Sequence, residues 1–147
     1  SLRGPSDFSG ELVSSDPLMV HILHNHRTTR FSCPEWQGDF NAYNLLAAVS
    51  MAMNLGIETI AIQQALSSFA GVPGRLEKYE MPNESACIID HAHTPSSYEA
   101  VLSFLRTTTD HLIVLFGCGG NRDREKRAIM GEIAARYADL IILTTDN

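Results

Sequence analysis

The chain has 147 residues, 44% of them hydrophobic, with 11 basic and 17 acidic side chains and a net charge of −6. That is enough apolar material for a packed core in one ordinary domain or in parts of two, and it argues against global disorder. The acidic balance speaks against a nucleic-acid surface, which needs a basic field, and no apolar run approaches the roughly 20 residues of a membrane-crossing helix.

Ser1 to Asp7 lacks the apolar centre of a signal peptide, and Cys33, Cys87 and Cys118 are odd in number, widely separated and form no C-x-x-C pair. Free thiols in a cytosolic protein are the expectation. Glu11-Leu12-Val13, Met19 to Leu23 and Arg30-Phe31-Ser32 read as short antiparallel strands, divided by Ser-Asp-Pro and His-Asn-His-Arg turns. His24, Asn25 and His26 are assigned to the second turn rather than to a site.

Gly38-Asp39-Phe40-Asn41 opens a helix in which Leu45, Leu46, Val49 and Met53 share a face, with Ala47, Ala48 and Ala52 permitting close approach, and Gly56 ends it. A second helix is expected from about Thr59 to Phe69, burying Ile62, Ala65, Leu66 and Phe69. Asn41 reads as a helix cap. Asn44 lies past the cap and is a mediocre helix former, so it invites another explanation. Ala70-Gly71-Val72-Pro73-Gly74 is the expected domain boundary, and Arg75 follows it at once.

Beyond Arg75 the pattern alternates. Leu76 to Met81 reads as a short strand and Pro82 to Ser85 as a turn. Ala86 to Ile89, Leu112 to Phe116 and Leu140 to Leu143 read as buried strands. Between them run a helix carrying Tyr98, Val101, Leu102 and Leu105 at i, i+3, i+4, i+7, and one carrying Ile129, Met130, Ile133, Ala134 and Tyr137. Thr94 is placed as N-cap of the first and Pro95 as its first helical residue. This β-α-β-α-β order calls for a parallel sheet, with the three strands in one layer. Three strands and two crossover helices leave apolar surface bare, so the chain is expected to be a piece of a longer protein.

In such sheets ligands bind at the carboxyl ends of the strands, which points to Asp90, His91 and His93, to Gly117-Cys118-Gly119-Gly120 and to the stretch after Leu143. A carboxylate after an apolar strand needs a partner: a metal, a ribose hydroxyl or a cation. His91 and His93 face opposite ways if the chain is extended, a poor arrangement for zinc without a third ligand, and structural or substrate-positioning roles are preferred. The glycine loop does not complete G-x-G-x-x-G, because Arg122 stands at the third glycine. Arg122, Arg124, Lys126 and Arg127 crowd a helix start, where each exposed cation costs about 0.3–1 kcal/mol against the helix dipole, partly offset by Asp123 and Glu125. Such a cluster reads either as an anion site for phosphate or carboxylate or as a solvated charged face.

Gly38-Asp39-Phe40-Asn41-Ala42-Tyr43-Asn44, Val72 to Glu77, Asp90-His91-Ala92-His93-Thr94-Pro95, Phe116 to Asp123 and Thr144-Thr145-Asp146-Asn147 together resemble the Mur ligases. These are ATP-dependent amide-forming enzymes of the peptidoglycan stem peptide. The likeness is greatest to those adding the third residue, meso-diaminopimelate or L-lysine, to UDP-N-acetylmuramoyl-L-alanyl-D-glutamate. It runs in order from about Gly38 to Asn147. The resemblance implies an α/β chain in which residues 1–73 end a central ATPase domain of short strands plus two helices. Residues 74–147 would then begin a Rossmann-like, amino-acid-binding carboxy-terminal domain.

The resemblance further implies ATP and Mg2+ as cofactors, no metal ligand within this chain, a cytoplasmic location and a monomer. Asn44 matches the asparagine at the adenine end of ATP, Arg75 an arginine near ribose and phosphates, and Asp90 the aspartate that contacts the ribose. Arg122 matches the arginine that pairs with a carboxylate of the incoming amino acid, and Asp146 and Asn147 begin the motif that reads its far end. His93 is a possible positioning residue. The family usually has tyrosine where this chain has His91. The chain holds no G-x-x-x-x-G-K-[ST] phosphate loop, so by itself it is expected to be inactive. Two other readings stand beside this one: another ligase of the same architecture, such as a folylpolyglutamate synthetase, and a non-catalytic nucleotide- or anion-binding module.

Overall fold

The computed structural model describes residues 7–119 and 123–145. The order is β1 (Phe8–Ser15), β2 (Leu18–His24), β3 (Arg27–Cys33), α1 (Asn41–Asn54), α2 (Thr59–Ser67), β4 (Glu77–Glu80), β5 (Ala86–Ile89), α3 (Pro95–Thr108), β6 (Ile113–Phe116), α4 (Glu125–Tyr137) and β7 (Leu140–Leu143). The chain divides into two compact units, Ser1–Cys87 and Ile88–Asn147.

In the first unit β1, β2 and β3 form an antiparallel meander. The strands are longer than the sequence suggests, because pairing recruits the polar residues that flank each apolar stretch. Alternation on β2 sends Leu18, Val20 and Ile22 inward, all nearly inaccessible, and β3 adds Phe31 and Cys33. Leu45, Leu46 and Val49 of α1 and Ile62 of α2 cover this face. Burial raises the pKa of the Cys33 thiol, which serves here as a small apolar filler. Ala47 and Ala48 are exposed rather than packed against a neighbour.

The histidines of the β2–β3 hairpin are structural. Asn25 and His26 take positive φ (48° and 62°), as a two-residue hairpin requires. The His24 ring stacks on Phe8 with centroids 3.9 Å apart, its Nδ1 donates to the Asp7 carbonyl at 3.0 Å, and its Nε2 accepts from Asn25 at 2.9 Å.

The second unit confirms the strand–helix alternation but not a single three-stranded layer. β6 and β7 pair in parallel, Ile113 opposite Leu140 and Phe116 opposite Leu143. β5 instead pairs with β4. Met81 N–H donates to the Ser85 carbonyl at 2.9 Å, closing a turn in which Asn83 and Glu84 take positive φ. A hairpin partner a few residues away closes a small loop, whereas a parallel partner must wait for a helical crossover. Nor are the three strands buried on both faces: Ile89 is 48% exposed. On the β6 side Leu112 and Val114 are 9% and 7% exposed while Ile113 and Leu115 are 62% and 66%. An apolar run makes a strand fit for burial, but α3 and α4 supply a cover to one face, through Tyr98, Leu102, Met130, Ile133 and Ala134.

Asp139 fastens the edge where β6 and β7 begin. Its Oδ2 accepts from the Leu112 N–H at 2.8 Å and from Arg106 Nη1 at 2.7 Å, and its own N–H donates to the Leu112 carbonyl at 2.9 Å. The Leu112 N–H first, and then Arg106, hold the Asp139 carboxyl below its ordinary value of 3.8. A carboxylate depressed in the fold contributes stability that is fully present above its unfolded pKa and is lost as pH falls through the folded one. Asp139→Asn, which keeps an acceptor and removes the charge, should therefore lower the urea midpoint at neutral pH. The gap to the parent chain should close progressively as pH is taken below 3.8.

Candidate functional site

The turn between β5 and α3 is built by Asp90. One carboxylate oxygen accepts the Ala92 N–H at 2.8 Å, an Asx-type turn that bends the chain as it leaves the strand. Asp90, His91 and His93 thus lie in the strand-to-helix turn as expected, and the extended course that would oppose the two histidines is not taken. The His91 and His93 rings lie with centroids 4.9 Å apart, tilted by 49°, and His93 Nδ1 donates to the His91 carbonyl at 3.0 Å. Thr94 then caps α3 as anticipated, with Pro95 in the first turn. The Ser97 N–H donates to Thr94 Oγ1 at 3.3 Å and the Thr94 N–H to Ser97 Oγ at 3.2 Å, a reciprocal box.

The start of α4 reaches this turn. Lys126 Nζ donates to the His93 carbonyl at 3.1 Å. Asp123 Oδ1 accepts the Lys126 N–H at 3.4 Å, and Arg124 occupies the N-cap position without a side-chain cap bond. Past the end of β7, the Thr144 N–H donates to the Phe116 carbonyl at 3.0 Å. The turns after β5, β6 and β7 therefore open at one end of the second unit, although the strands do not share one sheet. Arg122, Asp146 and Asn147 lie outside the described residues. Their neighbours Gly119, Asp123 and Thr145 flank this end.

Asn44 and Arg75 belong to the first unit. Gly38 prepares α1: it is buried, has φ +84°, and its carbonyl accepts the Asn41 N–H at 3.1 Å. Asn41 is not the cap, because Phe40 stands there and Asn41 is the first helical residue. Its Nδ2 donates to the Gln37 carbonyl at 2.8 Å and its Oδ1 accepts from Asn44 Nδ2 at 2.9 Å. The exposed Asn44 amide is thus oriented through Asn41.

Arg75 sits in a tight turn, its N–H donating to the Val72 carbonyl at 3.0 Å, and its side chain is exposed. Glu77 braces that turn by accepting from the Gly74 N–H at 2.7 Å and from the Tyr79 hydroxyl at 2.6 Å. Tyr79 first and Gly74 second hold the Glu77 carboxyl below its ordinary range. A shallow, mostly apolar hollow of about 480 Å3 lies against Phe8, Tyr43, Leu46, Ala47 and Met51, and no candidate site residue lines it. Among the described residues, no three His, Cys, Asp or Glu side chains are grouped to hold a metal. No helix there is long and apolar enough to cross a membrane.

Sequence reasoning placed Lys126 in the cationic cluster but missed that it ties two turns together. That contact joins residues 33 apart and goes to a backbone carbonyl, which leaves no mark on residue type.

Residues 74–147 match the family described as Mur ligase, glutamate ligase domain. The chain is 50% identical over 111 residues, 75% of its length, to the UDP-N-acetylmuramoyl-L-alanyl-D-glutamate–2,6-diaminopimelate ligase of Syntrophomonas wolfei, and spans 23% of that protein. A solved structure of a ligase of that name aligns with 99% of this chain and 30% of its own, with a TM-score of 0.61 at 31% identity. The UDP-N-acetylmuramate–alanine ligase of Thermotoga maritima aligns with 99% of this chain and 33% of its own, with a TM-score of 0.81; at 20% identity this likeness bears on the fold.

Because Thr94 sets both the start of α3 and the shape of the Asp90 turn, Thr94→Ala should destabilise the chain by about 1 kcal/mol. Thr94→Ser should be close to neutral. Urea denaturation of the two variants beside the parent checks both.

Proposed function

The chain belongs to the Mur ligase family, and from that premise we propose that it is part of an ATP-dependent amide ligase, a cytoplasmic monomer of peptidoglycan synthesis in bacteria. The proposed reaction joins meso-diaminopimelate to the D-glutamyl end of UDP-N-acetylmuramoyl-L-alanyl-D-glutamate. Residues 1–73 are taken as the end of the central ATPase domain and 74–147 as the start of the amino-acid-binding domain, a division supported by the family match beginning at residue 74. The names of relatives at this level of identity support diaminopimelate over lysine. Free cysteines at all three positions suit a reducing compartment.

The observation that carries the reading is the Lys126–His93 contact, which brings the Asp90 turn and the start of α4 to one end of the second unit. Asp90 and the loop that leads into α4 would then serve one reaction space at that end of the second unit, as transfer between two bound partners demands. Asn44 presents an oriented amide, suited to a purine edge. Arg75 presents an exposed guanidinium on a braced turn, suited to phosphate oxygens. Asp90, fixed by the Ala92 N–H, offers a carboxylate suited to ribose hydroxyls. Arg122, Asp146 and Asn147 are assigned to the amino acid, the first to its carboxylate and the other two to its far end. ATP, accompanied by Mg2+, supplies the activation of the acceptor carboxylate. His93, whose carbonyl is held by Lys126, positions the Asp90 turn rather than reacting.

The test uses the full-length protein that contains this chain, with ATP, Mg2+, the UDP-linked dipeptide and either meso-diaminopimelate or L-lysine, the product being followed by mass. Nucleotide-dependent product with diaminopimelate is expected, and the 147-residue chain alone should give none. Asp90→Ala should lower kcat/KM for ATP about tenfold or more, and Arg122→Ala should do so for the amino acid, each losing a charge-assisted hydrogen bond. Absence of product with either amino acid would overturn the reading.

A further inference from the structure

Tyr98 is a buried group that no role above uses. It is 6% exposed, and among the described residues its hydroxyl has no hydrogen-bond partner. It lies in the first turns of α3, with its N–H on the Thr94 carbonyl at 2.9 Å, so the capped turn after Asp90 fixes its position. Its ring meets that of Phe116, the last residue of β6, with centroids 5.1 Å apart at 48°, and it shares a core cluster with Cys118. The phenol therefore packs where β6 gives way to the glycine-rich loop. Burial, and then Cys118, push its pKa up, so it stays a neutral donor.

Phenylalanine would fill the same space without an unmet donor, and a buried hydroxyl without a partner is costly. The loop beside it is suited to supply one. Gly117 and Gly119 carry no side chain to shield their carbonyls and tolerate more than one backbone conformation. The Cys118 thiol packs against the same cluster and makes a weak polar contact, Sγ to Met130 Sδ at 3.9 Å. We propose that Tyr98 is a positioning residue for this loop, its hydroxyl donating to a backbone carbonyl of Gly117–Gly119 when the incoming amino acid settles the loop. The inference rests on the ligase reading, which gives that loop an amino acid to hold.

The test is Tyr98→Phe in the full-length ligase, with KM and kcat measured separately for ATP and for diaminopimelate. Hydrogen exchange over residues 117–119 is followed with and without diaminopimelate. One hydrogen bond made on binding and kept in the transition state is worth roughly tenfold in KM for the amino acid, with kcat and KM for ATP unchanged. The variant should also lose the protection that diaminopimelate confers on the loop, while its melting midpoint without the amino acid is not lowered. Wild-type kinetics in the variant, an equal rise in both KM values, or a lowered midpoint without the amino acid would each overturn the assignment. A wild-type enzyme that forms no product is a different result: it overturns the ligase reading and removes this inference with it.

Discussion

A parallel pair of strands cannot be joined by a tight turn, and that constraint organises the second unit. The chain leaves β6 at its carboxyl end and must return along α4 before β7 can begin. Both strands then deliver their following residues to the same end, and the Thr144–Phe116 hydrogen bond holds those residues together. α3 enters from the Asp90 turn and packs beside α4 on the same face, through Tyr98 and Leu102 against Met130, Ile133 and Ala134. Asp139 fastens the opposite end through Leu112 and Arg106. One end is closed by short charged contacts, and the other is left to the loops that follow β5, β6 and β7.

Much of this was legible in the sequence, for reasons that can be named. The spacing of Tyr98, Val101 and Leu102 marked the inward stripe of α3, and Thr94-Pro95 marked its start, because capping chemistry is local. Gly56 was placed as a helix terminator and takes φ +80°. What was not legible depends on partners. Ala86 to Ile89 has the composition of a central strand, but whether it pairs with β4 or β6 depends on loop closure and on what lies beside it. The residues themselves say nothing of that. Asn41 has the residue type of a cap, yet Gln37 and Gly38 draw the chain so that Phe40 stands at the cap and Asn41 becomes the support of Asn44. Local rules failed at positions where tertiary hydrogen bonds reassigned a side chain.

The site shows the same division. Asp90 was singled out because a carboxylate following an apolar strand needs a partner, and a backbone N–H two residues on supplies one. That contact turns the chain as it leaves β5 and fixes one carboxylate oxygen within the turn.

Net charge says little of this end of the molecule. The chain carries −6 overall, while on the two segments that the Lys126 contact brings together Arg124, Lys126 and Arg127 are matched by Asp90, Asp123 and Glu125. Interactions beyond the Debye length of about 8 Å at physiological salt are largely screened, so what a charged group meets here is set by these near neighbours and not by the acidic residues elsewhere. The same neighbours explain why cations at the α4 start are tolerated despite the helix dipole: the unfavourable interaction falls off within the first turn, and Asp123 and Glu125 offset part of it.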